Sequence, residues 1–198
     1  MSVGFRQVCH VIGIRTSRPC ARHVGLRDDV AVIVDLKLRA LAQRDLRTIP
    51  AAFAELGWPG KDEAKFRRYL SEQAAGERAV VVAELTGWFA GYITVVWNSD
   101  YRPFRDAGIP EIKDFNVLPA YRRQGIGSAL MDAAERLVAR RTTIVGLYSD
   151  YGTAQRMYAK RGYVPDGRGI MYAGEPVPPG RAVRIDDDAC LMYTRELT

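Results

Sequence analysis

The sequence of 198 residues is poor in the side chains from which most catalytic and metal sites are built. Its three cysteines, Cys9, Cys20 and Cys190, are too few and too scattered for a disulfide framework or a zinc site. Both histidines, His10 and His23, lie near the N-terminus, so any chemistry in the body of the chain must proceed without imidazole. No long apolar run exists. The longest uncharged stretch, residues 85–99, is broken by Gly and Thr and is shorter than the roughly 20 apolar residues a spanning helix needs, so no membrane association is expected. Internal repeats and low-complexity tracts are absent. What remains is ordinary: 47% hydrophobic and 26% charged residues, which excludes disorder as the main state and collagen-like or coiled-coil character.

The charge is unevenly spread. Residues 1–33 hold five arginines against two acids, half of the net +6, and show no sustained period. They read as a basic, flexible or dispensable extension: an arm, a targeting peptide or an over-long start. The body, residues 34–198, is nearly balanced, so the positive net charge is no nucleic-acid signature.

From residue 34 the pattern becomes regular. Residues 34–39 alternate as a strand. Residues 42–55 read as a helix interrupted at Pro50, and 62–75 as an amphipathic helix ended by Gly76. Strands at 79–85 and 88–97 flank the tight turn Thr86-Gly87. A loop at 98–110 leads to a strand at 111–118, a strong helix at 124–141, a strand at 143–148 and a short helix at 153–161 stopped by Gly162. A strand at 163–172, interrupted around 165–167, a Pro-rich loop at 175–181 and a strand at 189–195 complete the order βααββ–βα–βα–ββ.

One segment carries chemistry. Arg122-Arg123-Gln124-Gly125-Ile126-Gly127-Ser128 joins a strand to the strongest helix. A Gly-rich turn at a helix start presents free N–H groups at the positive end of the helix dipole, where a phosphate can approach closely. The two arginines add positive charge. The spacing fits neither a Walker loop nor a dinucleotide fingerprint.

Residues 114–130, Asp-Phe-Asn-Val-Leu-Pro-Ala-Tyr-Arg-Arg-Gln-Gly-Ile-Gly-Ser-Ala-Leu, resemble the central motif of the GNAT superfamily of acyl-CoA-dependent N-acetyltransferases, with Arg122, Gly125 and Gly127 at the motif positions. A second block, Ala154 to Tyr163, is similar to the family's Ala-x-x-x-Tyr-x-x-x-Gly-Phe/Tyr segment. The resemblance spans residues 34–198. It implies an α/β (α+β) GNAT fold with a mixed, mostly antiparallel central sheet flanked by helices. It also implies acetyl-CoA as cosubstrate, no metal, a cytoplasmic location and direct transfer of an acetyl group to a primary amine in a ternary complex. The alternative is a non-catalytic acyl-CoA-binding regulatory module. Homodimers occur among relatives.

By the same resemblance, residues 122–128 hold the pyrophosphate and the backbone of Phe115, Asn116 and Val117 bonds the pantetheine arm. Tyr158 is the general acid, Glu111 is the general base with Asp114 as the alternative, and a backbone N–H near Val117 is the oxyanion donor. Strand alternation puts Glu111 and Asp114 on opposite faces unless a bulge intervenes. Tyr151 stands where many members carry Asn. For the acceptor, Trp58, Trp97, Tyr101 and Phe104 either border a pocket or cap the core, with capping favoured for most. Asp186-Asp187-Asp188 reads as a solvated turn rather than a cation site.

Overall fold

A computed structural model describes residues 35–142, 144–149, 152–184 and 188–197, all within the unit Ile33–Thr198. The expectations for residues 1–33, Tyr151, Asp186 and Asp187 fall outside the described residues. The chain runs β1 (Leu36–Ala40), α1 (Asp45–Glu55), α2 (Glu63–Ala74), β2 (Arg78–Leu85), β3 (Trp88–Val96), α3 (Arg102–Asp106), β4 (Glu111–Val117), α4 (Ile126–Ala139), β5 (Ile144–Ser149), α5 (Thr153–Lys160), β6 (Val164–Tyr172), β7 (Glu175–Pro176) and β8 (Ala189–Glu196). The strands form one sheet in the order β1-β2-β3-β4-β5-β8-β6-β7. Every neighbouring pair is antiparallel except β4 with β5. This is the mixed, mostly antiparallel sheet flanked by helices that the sequence predicts.

Local chemistry accounts for the boundaries. Asp62 caps α2 by accepting a hydrogen bond from the Lys65 N–H at 2.8 Å. Thr86 and Gly87 both have positive φ, which matches the twist of the β2–β3 hairpin. Gly162, at φ 85°, ends α5 in the left-handed conformation. Three details differ from the sequence reading. Pro50 lies inside α1 without ending it; Ile49 and Phe53, buried on the inner face, hold the helix through the missing hydrogen bond. The 98–110 loop contains α3, started by Pro103 in its first turn. The Pro-rich loop contributes the short strand β7.

The sheet is covered on both faces. On one, α1 and α2 bury Leu46, Ile49, Phe53, Phe66 and Tyr69 against Val80, Val82, Tyr92 and Leu118. On the other, the apolar stripe of α4 (Ile126, Leu130, Met131, Ala134, Val138) packs with Tyr158 of α5 on Val81, Ala83, Ile93, Ile112, Val145 and Leu147. A smaller cluster under α3 joins Tyr101 and Phe104 to Met171 and Met192. There Phe104 takes the space of the side chain that Gly146 lacks.

Two irregularities fall on β4. The strand pairs with β5 only through Glu111↔Gly146 and Ile112↔Leu147. Past that point β5 stays with β8 as far as Ser149↔Leu191, while β4 stays with β3 as far as Gly91↔Val117. The two strands part, and the β5-facing edge of β4 loses its ladder beyond Ile112. The β3–β4 register also slips by one residue between Tyr92↔Asn116 and Thr94↔Lys113. Asp114, at φ 51°, supplies the extra residue of this bulge.

Gly91 makes the close approach of β3 to the end of β4 feasible, because a Cβ there would overlap the Asn116 carbonyl oxygen. The obstacle is backbone and cannot swing aside. Gly91→Ala is therefore expected to cost about 1–3 kcal/mol, the range for overpacking, read as a lower urea midpoint with an unchanged m-value.

Candidate active site

The parting of β4 from β5 opens a cleft whose β4 wall is the backbone from Lys113 to Val117. Phe115 and Val117 pack toward the α4 side. The ring of Phe115 lies 3.3 Å from where a Cβ of Gly127 would be, so the glycine lets α4 begin directly against the strand. The Asn116 amide donates to Asp114 Oδ1 at 2.9 Å.

The start of α4 closes one end of this wall. Gly125 is the N-cap at φ 81°, and no side chain caps the helix. Ala129 N–H is the first to bond back, to the Gly125 carbonyl. The N–H groups of Ile126, Gly127 and Ser128 precede it and remain at the positive end of the dipole. Arg122 and Arg123 are exposed beside them. Arg122 Nε donates to the Val117 carbonyl at 3.0 Å, and its guanidinium sits 5.6 Å from the Trp58 ring centroid. Gln124 Nε2 donates to the Ala120 carbonyl. Ile126 is buried in the core and seats the first turn of the helix on the sheet. These residues fit an anionic diphosphate, which needs main-chain donors and mobile cations in one place.

Two carboxylates of β4 have opposite environments. The bulge brings Glu111 and Asp114 to the same face, the α1–α2 side, where strict alternation would have separated them. Asp114 is surrounded by donors. Lys61 bonds one oxygen, Lys65 Nζ lies 3.1 Å from the other, and the hydroxyls of Tyr69 and Tyr92 donate at 2.9 and 2.6 Å. Burial pushes the Asp114 carboxyl up, but the two lysines and these hydrogen bonds outweigh it and hold the group well below the usual carboxylate range. Burial likewise pulls the Lys61 ammonium down against the attraction of Asp114. Glu111 is 2% exposed and accepts one hydrogen bond, from Ser99 Oγ at 2.5 Å. Burial dominates there and raises its carboxyl above the ordinary value, with Lys113 and Ser99 pulling back.

Tyr158 lies on α5 with its residue 6% exposed. Its ring meets Tyr163 edge-on at 5.9 Å and Tyr193 at 6.5 Å. Tyr163 is itself fixed by donating to Glu135 Oε1, the carboxylate that also holds Arg161 and Arg195. Tyr158 belongs to the α4-side cluster and Glu111 to the opposite face. The aromatic residues considered for the acceptor mostly cap the core. Phe104 covers Gly146 and Trp58 stacks on Phe53. Trp97 lies under Arg141 at 3.9 Å. Tyr101 donates to Asp166 Oδ2 at 2.9 Å, its phenol pushed up to about 12 by burial and that carboxylate. Asp188 is exposed.

Sequence reasoning missed Ser99, Lys61, Lys65, Tyr69 and Tyr92. They come from a loop, a helix and a neighbouring strand, and no local spacing marks them. A crevice of about 570 Å³ between β1, β2 and the C-terminal half of α4 contains no residue of β4, β5 or α5 and lies outside this site. Among the described residues, no group of three or more His, Cys, Asp or Glu side chains is placed to hold a metal ion. No helix among them is long and apolar enough to cross a membrane.

Parted parallel strands in a mixed sheet, with an uncapped Gly-rich helix start at the parting, suit an extended ligand that carries a diphosphate. Residues 43–163 match the family model described as acetyltransferase (GNAT) family, and the chain belongs to that family. No match was found among curated proteins. Solved structures share the fold at low identity. A GNAT superfamily phosphinothricin acetyltransferase from Sinorhizobium meliloti in complex with AcCoA is 20% identical, with a TM-score of 0.61 over 83% of this chain and 89% of that one. The yncA protein of Salmonella typhimurium with its cofactor acetyl-CoA is 19% identical, with a TM-score of 0.60 over 83% and 95%. Arabidopsis thaliana Naa50 in complex with the bisubstrate analogue CoA-Ac-MVNAL is 16% identical, with a TM-score of 0.58 over 83% and 100%.

The Asp114 cluster has a consequence for stability. A carboxyl held below its unfolded value stabilises the fold above the usual range near 3.8. That contribution is lost as pH falls through the lower folded value. Urea unfolding of Asp114→Asn between about pH 7 and pH 2 is expected to give lower stability at neutral pH and a flatter acid limb than wild type.

Proposed function

We propose that the chain is an N-acetyltransferase that moves the acetyl group of acetyl-CoA to a primary amine by direct attack in a ternary complex. The observation that carries this reading is the parting of β4 from β5 beside the uncapped start of α4. It supplies a free strand edge for an amide-bearing arm and a set of main-chain donors for a diphosphate. Neighbours that hold acetyl-CoA or a CoA-linked peptide analogue support it.

In this reading Ile126, Gly127 and Ser128 offer N–H groups to the pyrophosphate. Gly125 and Gln124 shape the turn, and Arg122 and Arg123 neutralise charge. The backbone of Phe115, Asn116 and Val117 bonds the pantetheine amides. Glu111 takes the proton from the amine, directly or through water. Its raised affinity for protons suits a base working near neutral pH. Asp114 is the poorer base, because five donors hold its charge in place. As the nitrogen attacks the thioester carbonyl, an N–H near Val117 stabilises the developing oxyanion. The C–S bond then breaks and the Tyr158 hydroxyl gives its proton to the leaving sulfur.

Release of free CoA from acetyl-CoA with a panel of primary amines tests the assignment. CoA binding without turnover on any amine would mark a regulatory acyl-CoA-binding module instead. Gly125→Glu is expected to abolish CoA binding in calorimetry, since its side chain blocks the turn and repels phosphate; an unchanged affinity removes the pyrophosphate site. Tyr158→Phe is expected to lower kcat about tenfold or more, with CoA affinity little changed. Equal rates in the two proteins remove the acid role.

A further inference from the structure

Glu111 is held in an asymmetric way. Oε2 accepts from Ser99 Oγ at 2.5 Å, within a residue that is 1% exposed. The Ser99 hydroxyl in turn accepts from the Tyr101 N–H at 3.0 Å. A serine has one proton to give; with an N–H already pointing at its oxygen, that proton goes to the carboxylate. Oε1 makes no hydrogen bond among the described residues. It is not sealed off either, because Arg39 Nε is the one fully buried side-chain polar atom without a partner among them. The carboxylate therefore has one oxygen anchored and one open.

The anchor is itself braced. Ser99 lies in the turn just before α3. That turn is fixed by Phe104 seated on Gly146 of β5 and by Tyr101 bonded to Asp166 of β6. Gly146 is the β5 partner of Glu111 in the two-rung parallel ladder that precedes the cleft, so the turn, the carboxylate and that ladder form one unit.

We infer that Ser99 is the positioning residue for the general base: its hydroxyl fixes the Glu111 carboxylate so that Oε1 faces the proton to be removed. This rests on the reading of Glu111 as the base. The charged groups acting on Glu111 are Lys113 of the same strand, Asp100 of the turn and Arg78 of β2. Lys113 is engaged with Asp100 at 3.0 Å, and Arg78 with Glu72 and Thr94. Arg102 and Arg105 of α3 are exposed, and Phe104 presents only a ring. Ser99 is thus the one side chain among the described residues that bonds the carboxylate directly. Its loss leaves the ionised form with no donor.

The test is the pH dependence of kcat/KM for acetyl transfer to one amine, compared among wild type, Ser99→Ala, Ser99→Cys and Glu111→Gln. The ionisation of the amine gives its own rising limb in all four curves, so the limb compared is the one that remains after the amine's known titration is divided out. Glu111→Gln is expected to lose the limb that rises with pH. Ser99→Ala is expected to keep it but shift it upward by about one pH unit, the effect of losing one hydrogen bond to a charged group. On the acid side of the limb its activity falls about tenfold, and it recovers as pH rises past the limb, with CoA affinity unchanged. Ser99→Cys, a weaker donor of similar size, falls between, and it carries the comparison should the alanine variant not fold. A limb at the wild-type position in both Ser99 variants, with the limb lost in Glu111→Gln, overturns the role of Ser99 and leaves the base assignment standing. A limb that survives in Glu111→Gln overturns the base assignment, and the role of Ser99 with it.

Discussion

The ionised carboxylate of Asp114 is the interaction on which the architecture turns. It sits at the extra residue of the β4 bulge and gathers donors from four places: Lys61 of the loop before α2, Lys65 and Tyr69 of α2, Tyr92 of β3 and Asn116 of β4 itself. A positive φ at a non-glycine residue is unfavourable by itself, although Asp tolerates it better than most. The surrounding donors make that conformation worthwhile, and the bulge then follows. From it come the common face of Glu111 and Asp114 and the opposite face of Phe115 and Val117, which meet α4.

The two β4 carboxylates illustrate how environment divides labour between like groups. Asp114 has a surplus of cations and hydroxyls and stays charged. Glu111 is buried with one hydroxyl donor, and binds its proton more tightly. A group whose charge is fully compensated is structural by construction, because moving a proton onto it dismantles its partners. A group with one donor and an open oxygen can exchange a proton at small structural cost. This difference bears on the choice between Glu111 and Asp114, which strand alternation alone leaves open.

Much of the fold is legible in the sequence because its strongest signals are local. The α4 stripe, the Thr86-Gly87 hairpin and the Gly162 stop each act within a few residues. The Gly-rich helix start is equally local, and the structure has it uncapped and flanked by exposed arginines. The α3 turn was less visible, being one and a half turns long and dependent on Phe104 finding the bare face of Gly146. The shell around the β4 carboxylates was invisible for a related reason. Ser99, Lys61 and Tyr92 come together only after the sheet has formed, and the bulge that decides their neighbours is a one-residue slip between strands. Pro50 shows the converse: a strong local signal to break a helix was overridden by the burial of Ile49 and Phe53 on its inner face.

On the proposed reading of the site, the bare edge of β4 treats a molecule lying in the cleft as a missing strand. Main-chain groups recognise it, and those groups are the same whatever side chains occupy positions 115 to 117. The information for that recognition is therefore stored elsewhere: in the glycine at 91 that lets β3 lie close, and in the aspartate at 114 whose bulge aims the edge. A change at either of those two positions, neither of which has to touch the ligand, alters the edge itself.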